Sequence, residues 1–225
     1  MNGVEIESIE KQYWDSTEHT GMQKRGANHT VIEFYAKQRF DYIQTKIPLN
    51  SIQSCLDVGA GTGFSSIHFP NPEVITSTDY SFRNLKMNHS KNRIQASAYS
   101  LPFDSNSFDL VYGWEFLHHL DEPEKAVSEM SRVSKKYLIL FEPNSINPAL
   151  IALATFRKEE RRILQYDRKK MIRFVSSLNY DVISCESVGW IFTGVTPSFS
   201  LGLFGKLPFV HKFGVAWALI CKKIT

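Results

Sequence analysis

Residues 56–64 read Leu-Asp-Val-Gly-Ala-Gly-Thr-Gly-Phe, and Asp79 stands sixteen residues past the last of those glycines. The run Ser54-Cys55-Leu56-Asp57-Val58 has the unbroken apolar character of a strand buried on both faces. It enters a turn with glycine at 59, 61 and 63. Glycine there permits positive φ and lets a ligand approach the main chain closely. A second run, Glu73 to Thr78, ends at Asp79, where a carboxylate can accept two hydrogen bonds from a ribose diol. Turn and acid together describe the first β-α-β unit of a nucleoside-binding, doubly wound sheet.

The spacing selects the nucleoside. A dinucleotide fingerprint, G-x-G-x-x-G, would need glycine at position 64, which is Phe64. The glycines run G-x-G-x-G behind Asp57 instead, which resembles motif I of the class I S-adenosylmethionine-dependent methyltransferases. Residues 94–103, Ile-Gln-Ala-Ser-Ala-Tyr-Ser-Leu-Pro-Phe, resemble that family's G-D-A-x-x-L-P-F segment. Residues 107–120, running from Ser-Phe-Asp-Leu-Val to Leu-His-His-Leu, resemble its next block, and Glu129-Met130-Ser131-Arg132-Val133 resembles its E-M-x-R-V helix. The blocks occur in order over residues 55–142 and are similar to the branch containing the quinone-ring C-methyltransferases. That branch methylates carbon, oxygen and nitrogen on unrelated molecules, so the resemblance implies cofactor and fold but no acceptor.

The resemblance implies an α/β fold: a Rossmann-like sheet of seven strands with the last antiparallel. It implies S-adenosyl-L-methionine as cofactor, with contacts from Asp57, Gly59, Ala60, Gly61, Gly63, Asp79, Tyr80, Ser97, Ala98 and Trp114. In the family the acid of the first strand helps hold the methionine part, and the glycine turn passes under the sugar. Two departures stand out. The usual Asp of the adenine segment is Ser97, which offers an uncharged hydroxyl, and the K-P-G-G turn before the fifth strand is missing.

Composition narrows the rest. A chain of 225 residues with 43% hydrophobic residues suits one domain, or one with a small attachment. A net charge of +3 gives no argument for nucleic acid. Cys55, Cys185 and Cys221 are far apart in apolar runs, which reads as reduced thiols in a cytosolic protein without a metal site. The acidic, polar start does not resemble a secretory signal, and no apolar run approaches the ~18 residues that span a bilayer.

Residues 1–50 read as an N-terminal cap or lid ahead of a methyltransferase domain at 51–225. Val31–Ile43 has helical apolar spacing, and the segment around Tyr13, Trp14 and His29 reads as a ligand-side loop. Strands are predicted near 53–58, 73–79, 93–97, 108–113, 136–142, 181–188 and 215–221. Asn147-Pro148 and Asp167 each begin a helix. Residues 145–213 carry the acceptor side. Within them 157–173 hold eight basic and three acidic side chains, and the aromatic-rich insertion 189–213 widens the last hairpin. A basic helix beside an apolar loop suits a small lipophilic or anionic acceptor, a lipid-linked one, or peripheral contact with a membrane; a solvated helix face and a core-covering loop explain the same pattern.

Methyl transfer from a sulfonium needs in-line positioning and little water. A base is needed only where the nucleophile keeps its proton. The ends of the fourth and fifth strands offer Tyr112, Trp114, Glu115, His118, His119, Glu142 and Asn144. His118 or His119 is a candidate base for a hydroxyl or enol, Glu142 another, and a structural role for the histidine pair stands beside these. An N-P-P-Y tetrad, a P-C pair and a carboxylate cluster are all missing after the fourth strand, which argues against nucleic-acid and metal-dependent catechol-type enzymes. A nicotinamide dehydrogenase is opposed by Phe64. A non-catalytic protein that binds the cofactor for regulation stands as the alternative.

Overall fold

The computed structural model describes residues 25–156, 161–165 and 167–224. Tyr13 and Trp14 lie outside them, as do 157–160 of the basic segment. The strands are β1 (Cys55–Val58), β2 (Ile75–Asp79), β3 (Asn92–Gln95), β4 (Phe108–Trp114), β5 (Ser134–Pro143), β6 (Tyr180–Val188) and β7 (Ala216–Lys223). They form one seven-stranded sheet in the order β3-β2-β1-β4-β5-β7-β6. Neighbours from β3 to β5 pair in parallel, and β7 runs antiparallel between β5 and β6. This is the expected α/β architecture with the last strand reversed. The order changes direction at β1/β4, so the ends of β1, β2 and β4 open onto a crevice at the switch point.

The helices are α1 (Thr30–Gln44), α2 (Phe82–Met87), α3 (Pro123–Val133), α4 (Pro148–Phe156), α5 (Arg162–Gln165), α6 (Arg168–Ser177) and α7 (Leu201–Phe204). Alternation along the strands splits the core in two. Leu110 and Tyr112 of β4 with Ile139 and Phe141 of β5 meet Ala36, Phe40 and Ile43 of α1. Val111, Leu138 and Leu140 point the other way, onto Val127 and Met130 of α3 and Met171 and Val175 of α6. Helix α1 therefore shares the sheet's own core.

Local chemistry starts the helices where the sequence indicated. Asn147 Oδ1 accepts the Ala149 and Leu150 N–H groups at 3.0 and 3.1 Å, with Pro148 at the first position of α4. Asp167 Oδ1 accepts the Lys169 N–H at 2.8 Å and opens α6.

One expectation is corrected. The β1–β2 connection holds no α-helix, only turns and short 3₁₀ pieces at Ser66–His68 and Pro72–Val74. The glycines at 59, 61 and 63 and prolines at 70 and 72 leave Phe64–Phe69 between them. The prolines lack the N–H that would continue a helix, and the stretch closes in 3₁₀ turns instead.

The insertion leaves β6 at Gly189, which has φ +81°, and returns at Val215. Val188 and Pro143 both stand opposite Ala216, so the insertion sits at the carboxyl end of the parallel strands, as α4 does. Asn144 Nδ2 donates to the Gly214 carbonyl at 2.9 Å and Asn147 Nδ2 to that of Phe213 at 2.6 Å. These side chains pin the insertion to the start of α4.

Candidate functional site

The glycine turn lies where β1 ends. Gly59, Gly61 and Gly63 have φ of +70°, +51° and +89°. A Cβ on Gly59 would fall 2.5 Å from the Phe116 ring, and one on Gly63 would fall 2.6 Å from Asn88 Oδ1. A Cβ on Gly61 would meet nothing within 4 Å. The middle of the turn is thus open while both shoulders are packed. The Ala60 N–H donates to the Thr78 carbonyl at 2.9 Å, tying the turn to β2.

Asp79 braces this turn. Its Oδ2 accepts the Gly61 N–H and its Oδ1 the Ser81 N–H, both at 2.8 Å. The carboxylate thus ties the middle of the turn to the backbone that follows β2. Beyond β3, Ser97 Oγ accepts the Tyr99 N–H at 3.2 Å, the Tyr80 carbonyl accepts Gln95 Nε2 at 2.9 Å, and Ala98 packs against the α3-side core.

Asp57 is placed below the turn. It is 1% exposed, and its Oδ2 accepts hydroxyls from Ser65, from Ser66 at 2.7 Å and from Tyr112 at 2.9 Å. Ser77 donates on to Ser66 or Ser90 at 2.9 and 2.8 Å, which makes a hydroxyl chain under the crevice. Burial pushes the Asp57 carboxyl up to about 6, against the opposing pull of the Ser65, Ser66 and Tyr112 hydroxyls. A carboxylate so enclosed holds the turn from beneath rather than reaching into the crevice.

Helix α1 contributes a group that sequence reading missed. Arg39 is 2% exposed and its Nη2 lies 2.5 Å from Glu115 Oε1, which also accepts the Tyr35 hydroxyl at 2.7 Å. The guanidinium carbon sits 3.9 Å from the Tyr35 ring centroid, 4.7 Å from Phe141 and 5.2 Å from Trp114. Burial pushes the Glu115 carboxyl up, but the Arg39 charge and the hydrogen bonds from Arg39 and Tyr35 outweigh it and hold it below its usual range. Burial also raises the Tyr35 hydroxyl well above its ordinary value, so it stays protonated. Glu115 has φ +54°, and its N–H donates to the Phe141 carbonyl at 2.6 Å. Among the described residues, Arg39 Nη1 and Trp114 Nε1 are buried donors without a partner. The hint in the sequence was a cation inside the apolar face of α1.

The candidate bases fall differently from expectation. Glu142 is fully buried; its Oε1 accepts the Phe116 and Leu117 N–H groups at 3.1 and 2.9 Å, and its Oε2 meets His118 Nδ1 at 2.7 Å. It therefore positions the 117–119 turn and the His118 ring, and is not open to an acceptor. His118 is buried as well, with its ring 3.9 Å from that of His119, which is half-buried.

The acceptor-side elements are partly reassigned too. Arg162 donates to the His119 carbonyl at 2.7 Å and pairs with Asp121, Lys170 pairs with Glu124, and Arg168 reaches Ser187 Oγ at 3.3 Å. These cations clamp α5 and α6 to the body of the protein. In the insertion it is Ile191, packed with Val31 and Tyr35 and flanked by Phe34, Leu201, Phe204 and Trp114, that reaches the end of β4. Trp190 instead stacks on His211 at 3.5 Å.

A glycine turn at a β1/β4 switch point, an acid ending β2 and a 3-2-1-4-5-7-6 sheet define the class I methyltransferase fold. A family model described as "Methyltransferase domain" matches residues 56–140. A demethylmenaquinone methyltransferase from Renibacterium salmoninarum is 39% identical over 88 residues, a stretch that is 37% of this chain and 37% of that protein. Among solved structures, a possible histamine N-methyltransferase from Thermotoga maritima has a TM-score of 0.64 at 16% identity, covering 86% of this chain and 92% of that one. The magnesium protoporphyrin IX methyltransferase of Synechocystis with bound SAH also has a TM-score of 0.64, at 11% identity, covering 96% and 99%. The chain has the class I methyltransferase fold, its residues 56–140 resemble a methyltransferase domain, and it spans a little over a third of the length of the demethylmenaquinone methyltransferase it matches.

Proposed function

We propose that this protein transfers the methyl group of S-adenosyl-L-methionine to a small, apolar acceptor of quinone or phenol type. The observation that carries the reading is the turn 59–63, with three positive-φ glycines and open space over Gly61, braced by Asp79. The residues fit the cofactor. Asp79 stands at the end of β2 where the ribose hydroxyls would lie, Tyr80, Ser97 and Ala98 would line the adenine side, and Trp114 borders the crevice. The buried guanidinium of Arg39, with its unpartnered Nη1, suits the methionine carboxylate.

When bound, the cofactor supplies an electrophilic methyl, so the protein's work is orientation and exclusion of water. Trp114, Tyr35, Ile191, Leu201 and Phe204 give the apolar wall for that. The demethylmenaquinone relative supports a ring acceptor, and the apolar side chains of that wall support an uncharged one. His119, half-buried beside His118, is the residue to take a proton from a hydroxyl or enol; Glu142 holds His118 for that pair.

The direct test is mass spectrometry of demethylated quinones, simple phenols and lipid extracts incubated with deuterated cofactor. A transferred labelled methyl on a ring acceptor is expected. Cofactor binding by calorimetry with no transfer to any acceptor would favour the regulatory reading, which the enclosure of Glu142 and His118 supports. A His119→Gln variant should lose the low-pH limb of the pH–rate profile if that ring takes the proton.

A further inference from the structure

Two segments at the carboxyl end of the sheet present apolar side chains to solvent. In α4, the sequence Pro-Ala-Leu-Ile-Ala-Leu-Ala-Thr-Phe buries only Leu150 and Ala154. Ile151 is exposed and Phe156 is 87% exposed. In the insertion, Phe199 is 90% and Leu203 63% exposed, with Val195, Val210 and Phe213 also open. Asn144 and Asn147 bind the carbonyls of Gly214 and Phe213, so the two segments are joined at their base.

Charge separates this face from the rest of the protein. Residues 145–156 and 189–215 contain none of the chain's 23 Asp and Glu, while Lys206 and Lys212 are exposed among the aromatics. Across these 39 residues, of which Leu150, Ala154, Ile191 and Val215 are among the buried ones, no carboxylate opposes an anionic surface. Exposed Phe and Leu with flanking lysines instead match the boundary of a bilayer with anionic headgroups. No helix among the described residues is long and apolar enough to cross a membrane, so the contact would be interfacial. The face also lies at the end of the sheet where the apolar wall around Trp114 stands, so an apolar acceptor dissolved in lipid would enter from it.

We infer that the face formed by α4 and the insertion around α7 docks on anionic lipid bilayers. Phe199, Leu203 and Phe156 enter the acyl boundary, and Lys206 and Lys212 meet the headgroups. The inference does not depend on methyl transfer, because binding is read without cofactor or acceptor.

The full chain is mixed with vesicles of phosphatidylcholine containing three parts in ten phosphatidylglycerol, and with pure phosphatidylcholine vesicles, and the bound fraction is read by flotation. Binding to the anionic vesicles should exceed that to the neutral ones by about tenfold and fall in high salt. Phe199→Ser with Leu203→Ser should abolish it, and Lys206→Glu with Lys212→Glu should lower it by at least tenfold, each with an unchanged circular dichroism spectrum. Equal binding to both vesicles, or none, overturns the inference. So does a concentration-dependent dimer that Phe199→Ser dissolves while vesicle binding is nil, because a second copy of the chain would then cover the face.

Discussion

Replacing Asp79 with alanine should weaken the empty protein and its cofactor affinity together. The carboxylate accepts the Gly61 and Ser81 N–H groups at 2.8 Å each, and Ser81 Oγ in turn accepts the Asn84 N–H that opens α2. A hydrogen bond to a charged group is worth ~1.5–3 kcal/mol when dry. Asp79 is half-buried, and water can replace part of what is lost, so the expected loss is about 2 kcal/mol for the pair. In a protein of this size that lowers the melting temperature by roughly 4–8 °C. Binding adds a second effect. Adenosylhomocysteine at a hundred times its dissociation constant stabilises the native chain by ~2.7 kcal/mol; a tenfold weaker affinity, which a lost ribose contact would cause, cuts that to ~1.4 kcal/mol. Urea unfolding with and without the ligand measures both. An unchanged unfolding free energy without ligand would refute the bracing role, and an unchanged ligand increment would refute the ribose contact.

Gly61→Val should keep the fold with a loss of about 1–2 kcal/mol from the φ of +51°, yet abolish adenosylhomocysteine binding by calorimetry, since its Cβ enters the open space over the turn. Arg39→Leu strips the ion pair from Glu115 and should cost about 3 kcal/mol in urea unfolding; adding Glu115→Leu should recover more than 1 kcal/mol, and additive losses would refute the coupling. Asp57 holds its proton in the folded state up to about pH 6, whereas the unfolded chain releases it near 3.8, so its contribution is full below the lower value and disappears as pH rises through the higher. The native protein should therefore lose up to roughly 3 kcal/mol of this group's stability between pH 4 and 7, and Asp57→Asn should flatten that slope. The opposite trend from Glu186, held at about 2 by the Lys46 and Tyr42 hydrogen bonds, is common to both proteins and cancels in the comparison. An equal slope in the two proteins would refute the assignment.

The fold and the cofactor turn were legible in the sequence because both rest on local chemistry. Alternating burial, caps at Asn147 and Asp167, and glycines that alone tolerate positive φ are properties of neighbouring residues, and all seven strands fall within a few residues of where periodicity set them. The absence of an α-helix after β1 goes with the glycines at 59–63 and the prolines at 70 and 72, which bound that segment on both sides. What the sequence could not carry was pairing across distance. Arg39 meets Glu115 over 76 positions, Ser65, Ser66 and Tyr112 converge on Asp57, and Glu142 reaches back 24 positions to His118. Read in isolation, Glu142 was a candidate base; in the fold its carboxylate caps a turn. The acids and cations of this site acquire their roles from burial and from partners supplied by other elements, and no window of sequence contains either.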